Sequence, residues 1–164
     1  MSIAHAMLGE FEHEATITRK FLERIPQDKL MWKPHEKSHT AGALGLHIAI
    51  VPGNVVRAAQ VDESPLPDFA ALFKQPDTVQ EILSSHEKSI ATVREILPTF
   101  ADARVMTNWS ATRDGKAILT MPRVMFLRSI MLNHWIQHRG QLGVYLRLVG
   151  AKVPASYGPS GDEG

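Results

Sequence analysis

The sequence predicts an all-α protein built as a four-helix bundle, and three observations support this fold class. Four stretches of roughly 20 residues repeat apolar side chains with the period of an amphipathic α-helix. Proline or glycine closes three of these stretches, at Pro26, Pro98 and Gly150. The chain has 164 residues, which suits one hydrophobic core, so residues 1–164 are predicted to form a single domain.

The first two helices are predicted within residues 3–61. The first covers Ile3 to Ile25, and its apolar stripe is Met7, Phe11, Ala15, Thr18, Leu22 and Ile25. The second covers residues 40–61, with Ser38 or Thr40 as its N-cap and with Pro52 expected to bend it. Its stripe is Leu44, His47, Val51, Val55 and Ala58. The connection that follows, DESPLPDFAALFKQPD, is punctuated by proline.

The rest of the chain predicts two more helices with a non-helical excursion between them. The third helix runs from Thr78 to Leu97, with a stripe of Val79, Ile82, Leu83, His86, Ile90, Val93 and Leu97. Residues 101–121 do not fit a helix, and Asp114-Gly115 between short β-compatible runs predicts a small hairpin. The fourth helix begins near Pro122 and continues to Val149, and residues 151–164 form an irregular tail.

Composition and charge exclude several classes of function. The formal net charge is +1 and the basic residues are scattered, so no nucleic-acid partner is expected. The apolar runs are shorter than the roughly 20 residues that span a bilayer. Glu10, Glu12 and Glu14 occupy the place of a signal peptide's apolar centre, so we expect no membrane partner and a cytoplasmic location. The absence of cysteine excludes disulfides, thiolate metal ligands and a cysteine nucleophile.

Two histidines on the fourth helix carry the clearest chemical signal. His134 and His138, in LNHWIQHRGQLGVYL, are four positions apart and project from one helix face on adjacent turns. Apolar side chains flank the pair along this face, so both imidazoles are expected to point into the bundle. This spacing lets one helix offer two nitrogen ligands to one metal ion. The alternative interpretation is a hydrogen-bonded polar layer in the core.

A useful metal site needs a third ligand, and the sequence pattern leaves its identity open. His47 and His86 each lie on an apolar stripe, and each alone is also explained as a packed core histidine. A carboxylate from Glu10 or Glu14 is a weaker alternative. The other histidines are interpreted as solvated or gating positions, namely His5, His13, His35 and His39.

The residues around these histidines resemble the DinB/YfiT-like superfamily of four-helix-bundle proteins, and its DinB branch in particular. The resemblance lies in LGLHIA, in NHWIQHRGQLGVYLRLVGAKVP, in MWKPHEKSHTAGAL and in the SYGPSGDE tail, and it spans residues 11–163. Its most specific part is the H-x-x-x-H-R-G-Q-L stretch. In that family one histidine of the second helix and two of the fourth bind a divalent metal, commonly zinc or nickel. The resemblance therefore implies His47, His134 and His138 as ligands and gives His86 no role.

The resemblance also implies a topology, an assembly and a chemistry. We expect an up-down-down-up bundle with a long crossover, and a homodimer. Several relatives are S-transferases or isomerases that use bacillithiol, mycothiol or glutathione, and many others have no assigned reaction. Three imidazoles leave a divalent ion at least one open position, as in catalytic sites. We therefore predict a thiol S-transferase or hydrolase of small molecules, whose thiol is a low-molecular-weight cosubstrate because the chain lacks cysteine.

The alternative is a non-catalytic metal-binding protein of a damage-inducible stress response, because no general base is evident beside the predicted ligands. Two side chains are catalytic candidates. Gln141, one turn beyond His138, is expected to touch that ligand or a substrate, or else to be a polar core residue. Tyr157 in the tail is a candidate proton donor over the site. Arg139 is expected to form an ion pair at the surface or an interface. Four other side chains have weaker interpretations: Trp32 and Trp109 line the pocket mouth or cap the core, and Asp162 and Glu163 are solvated.

Overall fold

The structure, a computed structural model, describes residues 2–164 and is mostly helical with a small sheet. The first helices are α1 Ile3–Glu23, α2 Ala41–Ala58, α3 Val79–Ile96 and the short α4 Asp102–Met106. One uninterrupted C-terminal helix (residues 123–148) consists of α5 Arg123–Phe126, a π-helical segment Leu127–His134 and α6 Trp135–Leu148. Short 3₁₀ turns cover Gln27–Lys29, Ala71–Phe73 and Leu97–Thr99.

Three strands form a sheet in the order β1-β2-β3, namely β1 Glu63–Pro65, β2 Asn108–Arg113 and β3 Lys116–Pro122. Strands β2 and β3 pair antiparallel around Asp114 and Gly115, whose φ angles of 52° and 73° make a tight turn. The predicted excursion before the last helix is therefore confirmed as a hairpin. Strand β1 comes from the connection after α2 and pairs parallel with β2. The chain is mostly helical, as predicted, but strand β1 was not predicted, because a strand this short has no alternating pattern to detect.

The predicted amphipathic stripes pack into one helical core. Helices α1 and α2 each pack mainly against α3 and against the C-terminal helix. At the centre, Trp135 is fully buried and stacks on Phe11 of α1 with ring centres 5.2 Å apart. Its indole N–H donates to the Ile48 carbonyl of α2 at 2.8 Å. Because a buried indole N–H needs an acceptor, this bond fixes the rotation of the C-terminal helix immediately beside His134.

Helix α2 begins as predicted and is buried in the bundle. The Thr40 hydroxyl caps it by accepting the Ala43 amide N–H at 3.1 Å, which confirms one of the two predicted N-caps. The helix continues through Pro52 and ends at Ala58 rather than at Val61. By length and composition α2 is apolar enough to cross a membrane, but 78% of that stretch is buried inside the protein. It is placed as a core helix of the bundle.

The C-terminal helix departs from the regular α-helix that its sequence predicts, because residues Leu127–His134 are π-helical. Hydrogen bonds in a π-helix span five residues instead of four, so side chains before His134 are rotated relative to a continuous α-helix. Such segments are frequent at functional sites, and this one ends at His134. The apolar periodicity of the sequence contains no signal for it.

One buried arginine at the start of the C-terminal helix ties the connection between α2 and α3, here called the crossover (residues 59–78), to α4. Arg123 is fully buried and donates to the carbonyls of Ala59, Val61 and Arg104 and to the Asp62 carboxylate. These acceptors offset the cost of taking a guanidinium out of water. The beginning of the crossover is thereby held in place, and its later residues reach the site described next.

Candidate metal centre

Three histidines from two helices converge at one point. His47 lies in the middle of α2, His134 ends the π-helical segment, and His138 lies one turn further along in α6. One ring nitrogen of each lies within 4.8 Å of the other two, and the Nε2 atoms of His134 and His138 are 3.0 Å apart. Nitrogen ligands bonded to a tetrahedral zinc ion at roughly 2.0–2.1 Å are separated by about 3.3 Å. The cluster can therefore hold a metal ion.

Hydrogen bonds on the outer sides of two rings direct their free nitrogens toward this point. His47 Nδ1 donates to the Leu72 carbonyl at 3.1 Å, and His138 Nδ1 donates to the Gln141 side-chain oxygen at 2.9 Å. Because a carbonyl oxygen only accepts, each Nδ1 carries the proton and each Nε2 keeps its lone pair. Nε2 of His47 is buried and has no hydrogen-bond partner within residues 2–164. A metal ion would satisfy this otherwise costly buried acceptor, so the residues fit the group that the resemblance implies.

Burial keeps two of these histidines in their neutral form. Burial, assisted by the neighbouring His138 and opposed in part by the Leu72 carbonyl, lowers the pKa of His47 to about 4. Burial and His138 also lower the pKa of His134 below its usual value. The Ile130 carbonyl opposes this second shift, although among residues 2–164 no group forms a hydrogen bond of normal geometry with His134 Nδ1. Neutral imidazole is the form that binds a metal ion.

An aromatic ring from the crossover covers His47. Phe73 lies face to face with His47, with ring centres 4.1 Å apart, and its opposite face stacks on His39 at 3.6 Å. Phe73 also meets the His138 ring edge-on at 6.3 Å. His39, predicted as solvated or gating, is exposed and lies beside the site. Neither Leu72 nor Phe73 was predicted as part of the site. The only sequence signal is that they form an apolar pair inside the proline-rich connection.

The structure places one of the two catalytic candidates against a histidine of the cluster. Gln141 bonds the His138 ring, while the Tyr157 hydroxyl donates to Glu14 at 2.9 Å and accepts from Arg139 at 2.9 Å. Within the described residues, Tyr157 makes no hydrogen bond to the three histidines. Arg139 pairs with the buried Glu14 at 2.5 Å, which confirms the predicted ion pair, but it is 2% exposed, so the predicted surface position is wrong. The C-terminal helix packs against α1 as well as against α2, and its contact with α1 buries the helix face that carries Arg139.

The other candidate ligands do not join the cluster. His86 is fully buried, with its Nε2 3.4 Å from the Ala15 carbonyl and its ring 6.1 Å from that of Trp135. Glu14 is engaged by Arg139, and Glu10 pairs with Arg128 on the C-terminal helix. The convergence therefore includes His47 and leaves out His86, which the sequence pattern could not separate.

The two tryptophans have different environments. Trp109 is buried, stacks on Phe126 at 3.6 Å and donates its N–H to the Ala58 carbonyl. Ala58 lies about three turns along α2 from His47, so Trp109 caps the core and does not line the site. Trp32 meets Tyr145 edge-on at 5.7 Å.

The C-terminal tail is irregular, as predicted, but it is anchored to two helices. Asp162 pairs with Arg147 at 2.7 Å and accepts the Val153 amide N–H at 2.8 Å. Glu163 pairs with Arg24 at 2.9 Å. Asp162 is exposed and Glu163 is half-buried, so both remain in contact with solvent as predicted, but each also forms an ion pair with an arginine of a helix.

Comparison with known proteins identifies the family. The chain is 26% identical over 158 residues, covering 95% of this chain and 89% of the relative, to the uncharacterized protein YrdA of Bacillus subtilis (strain 168). A DinB-like protein from Bacillus cereus ATCC 10987 has a similar structure, with a TM-score of 0.74 at 22% identity, covering 95% and 98% of the two chains. A DinB-like protein from Bacillus subtilis (YjoA) has a TM-score of 0.72 at 20% identity, covering 93% and 97%. The DinB family model matches residues 1–164, and the chain therefore belongs to the DinB family.

Proposed function

We propose that this protein is a divalent-metal-dependent enzyme that acts on a small molecule at the three-histidine site. It either transfers a thiol to that small molecule or hydrolyses it. The observation that carries the proposal is the convergence of three imidazoles around the buried Nε2 of His47, which has no hydrogen-bond partner in the described part of the chain. Histidine ligands add no negative charge, so a bound zinc or nickel ion keeps its full charge for an incoming anion such as a thiolate. Three protein ligands also leave a coordination position open.

The chain's own residues supply orientation and access. A bound divalent ion would acidify a thiol or a water molecule placed against it. The Leu72 carbonyl and the Gln141 side chain hold His47 and His138 in one orientation, and Phe73 shields one face of His47 from water. His134 and His138 are only partly buried, so the site is open to a small molecule on the side of the C-terminal helix.

The proposal includes the up-down-down-up topology, with residues 59–78 as the long crossover. Glu12 pairs with Arg94 and Arg19 pairs with Glu87, which supports opposite directions for α1 and α3. Two hydrogen bonds that advance together along α2 and α3 support a common direction for these helices: Gly53–Ser89 and Arg57–Thr92. A homodimer and a cytoplasmic location remain predictions of the proposal, and light scattering tests the dimer.

Metal analysis tests the premise of the proposal. Purified protein is expected to contain about one zinc or nickel ion per chain, and His47→Ala and His134→Ala are each expected to lose it. His13→Ala, at an exposed position of α1, is the matched control and should keep its metal. Unchanged metal content in the two site variants would exclude a metal centre at these histidines.

A second experiment separates the enzyme from the non-catalytic metal-binding alternative. The metal-loaded protein is incubated with a panel of small thiols and electrophilic acceptors, and thiol consumption is followed. The proposal predicts consumption above that of metal-free protein for at least one pair, and its loss in His134→Ala. Consumption equal to that of metal-free protein across the panel would favour a stress-response protein that binds metal without turnover.

A further inference from the structure

A groove with a cationic and polar lining lies between α2 and α3, and it is here called the α2–α3 groove. Its volume is about 140 Å³, well above the roughly 10–15 Å³ that one water molecule needs, so it admits a small ion or chemical group. Within residues 2–164, no aspartate or glutamate lines the groove, so its lining carries two positive charges and no negative one. The polar side chains of the lining come from both helices, namely Asn54, Arg57, Ser85, Lys88, Ser89 and Thr92.

The two cations of the groove are not neutralised by the protein. Arg57 and Arg113 are the arginines that form no ion pair within residues 2–164, and Lys88 forms none in the same part of the chain. Glu87 is next to Lys88 in the sequence, but it pairs with Arg19 of α1 at 2.8 Å and is therefore engaged on the α1 side of α3. Two uncompensated cations at one groove favour an anionic ligand.

A hydrogen bond between the two helices holds the Arg57 guanidinium at the groove. Arg57 Nη2 donates to the Thr92 hydroxyl at 2.9 Å, and this hydroxyl donates to the Lys88 carbonyl at 3.0 Å. Thr92 therefore uses its own proton within α3 and serves as a support for Arg57. A guanidinium carries several further N–H donors, which remain available to a ligand.

A buried hydroxyl with an unused proton also lies in the groove. Ser89 is 6% exposed, and its Oγ accepts the Gly53 amide N–H at 2.8 Å. Among residues 2–164, no acceptor takes the hydroxyl proton of Ser89. Because a buried donor without an acceptor is costly, this proton points to an acceptor atom that enters the groove from solution. Asn54 and Ser85 add an amide and a second hydroxyl to the lining.

The α2–α3 groove is separate from the candidate metal centre. Gly53 and Arg57 contact α3, whereas His47 faces the C-terminal helix. Arg57 also lies ten residues beyond His47, which is about 15 Å along the axis of α2. An inference about this groove is therefore independent of the proposed function.

We propose that the α2–α3 groove binds a doubly charged tetrahedral oxyanion, such as the phosphate group of a small molecule. Arg57 supplies charge-assisted donors from α2, Lys88 supplies a second positive charge from α3, and the buried Ser89 hydroxyl donates a further hydrogen bond. A tetrahedral anion presents acceptor oxygens in several directions, so it suits donors that come from two helices. A planar carboxylate is satisfied by a single guanidinium and would leave the other donors unused.

A phosphate titration followed by amide NMR signals tests this proposal. Isotopically labelled, zinc-loaded protein is titrated with inorganic phosphate at about pH 8, where this anion is mostly doubly charged. Chloride is exchanged for phosphate at constant ionic strength, because screening would otherwise change with each addition. The amide signals of Gly53 and Ser89 are the reporters, since both residues line the groove. Acetate, which is planar and singly charged, is titrated in parallel.

Four variants show where the phosphate binds. Arg57→Gln and Lys88→Gln each remove one charge from the groove, and the Lys88 side chain makes no hydrogen bond within residues 2–164 whose loss would disturb the fold. Arg113→Gln is the matched control, because it removes an exposed arginine on the hairpin that also lacks an ion pair in the described chain. His134→Ala removes a predicted metal ligand and detects phosphate bound at the metal ion.

Wild type, Arg113→Gln and His134→Ala are expected to show the same saturable shift of both reporter signals. Arg57→Gln should weaken phosphate binding about tenfold or more, because a charge-assisted hydrogen bond is lost. Lys88→Gln should weaken it about threefold, because its ammonium group is exposed. Acetate should bind about tenfold more weakly than phosphate.

The absence of a saturable shift in wild type would overturn the proposal. Wild-type affinity in both Arg57→Gln and Lys88→Gln would overturn it too, because the two cations would then not contact the anion. Binding that disappears in His134→Ala would place the phosphate at the metal ion instead of in the groove. Acetate binding as tight as that of phosphate would contradict a site for a doubly charged tetrahedral anion.

Discussion

The buried ion pair between Glu14 and Arg139 gives a prediction whose size follows from the structure. The side chains of Arg139 and Glu14 are 3% and 5% exposed, and they join α1 to the C-terminal helix. The substitution Arg139→Met keeps most of the apolar volume but leaves the Glu14 carboxylate buried without its cation. Breaking a buried pair from one side costs about 3–5 kcal/mol, and we expect the low end because Tyr157 still donates to Glu14. In a domain of this size that is a fall of roughly 6–12 °C in melting temperature.

Urea unfolding of metal-free protein, followed by circular dichroism, measures this loss. The matched control is the double variant Glu14→Leu/Arg139→Met, which removes both charges and should recover most of the stability. Metal content should be unchanged in both variants, because Arg139 faces α1 whereas His138 faces α2. If Arg139→Met lies within about 1 kcal/mol of wild type, or the double variant is no more stable than the single one, the pair is not a desolvated ion pair.

Three further predictions concern histidines and their partners. Burial lowers the pKa of His86 to about 4, so folding stability is lost as pH falls below the unfolded value near 6.5. His86→Phe should therefore remove about 2 kcal/mol of the stability difference between pH 7 and pH 5 in urea unfolding, and an unchanged difference would contradict the neutral buried form. Gln141→Leu takes away the acceptor of His138 and should weaken zinc binding about 10- to 100-fold in chelator competition, with Gln141→Glu retaining most of the affinity. Phe73→Ala uncovers His47 and should weaken zinc binding about tenfold while helix content stays constant, and wild-type affinity would show that the crossover does not support the site.

The hairpin and the helix cap show where local sequence information is sufficient. A two-residue hairpin turn needs positive φ angles, and Asp and Gly adopt them more readily than most residues, so Asp114-Gly115 predicts the turn. The positions of the two flanking strands follow from the turn. Thr40 is predicted as a cap because its hydroxyl meets an amide only three residues away. The π-helical segment and strand β1 are different, because their backbone geometry depends on packing partners that are distant in sequence. Arg139 was misplaced for the same reason, since a single apolar stripe does not show that a helix has two buried faces.

By itself, the sequence determined the four amphipathic helices and the pairing of His134 with His138, because both are properties of one helix and its period. It left His47 and His86 equivalent as third ligands on pattern alone, and only the resemblance to the family distinguished them. The tertiary structure decided which of them meets the pair, since α2 faces the nitrogen-bearing side of the C-terminal helix and His86 packs elsewhere in the core. It also decided that Leu72 and Phe73 contact His47, because a backbone carbonyl and a stacked ring reach this histidine only through the path of the crossover. The positions of the three ligands relative to one another are set by contacts between distant segments. Because such contacts have no period along the chain, the sequence pattern alone does not predict them.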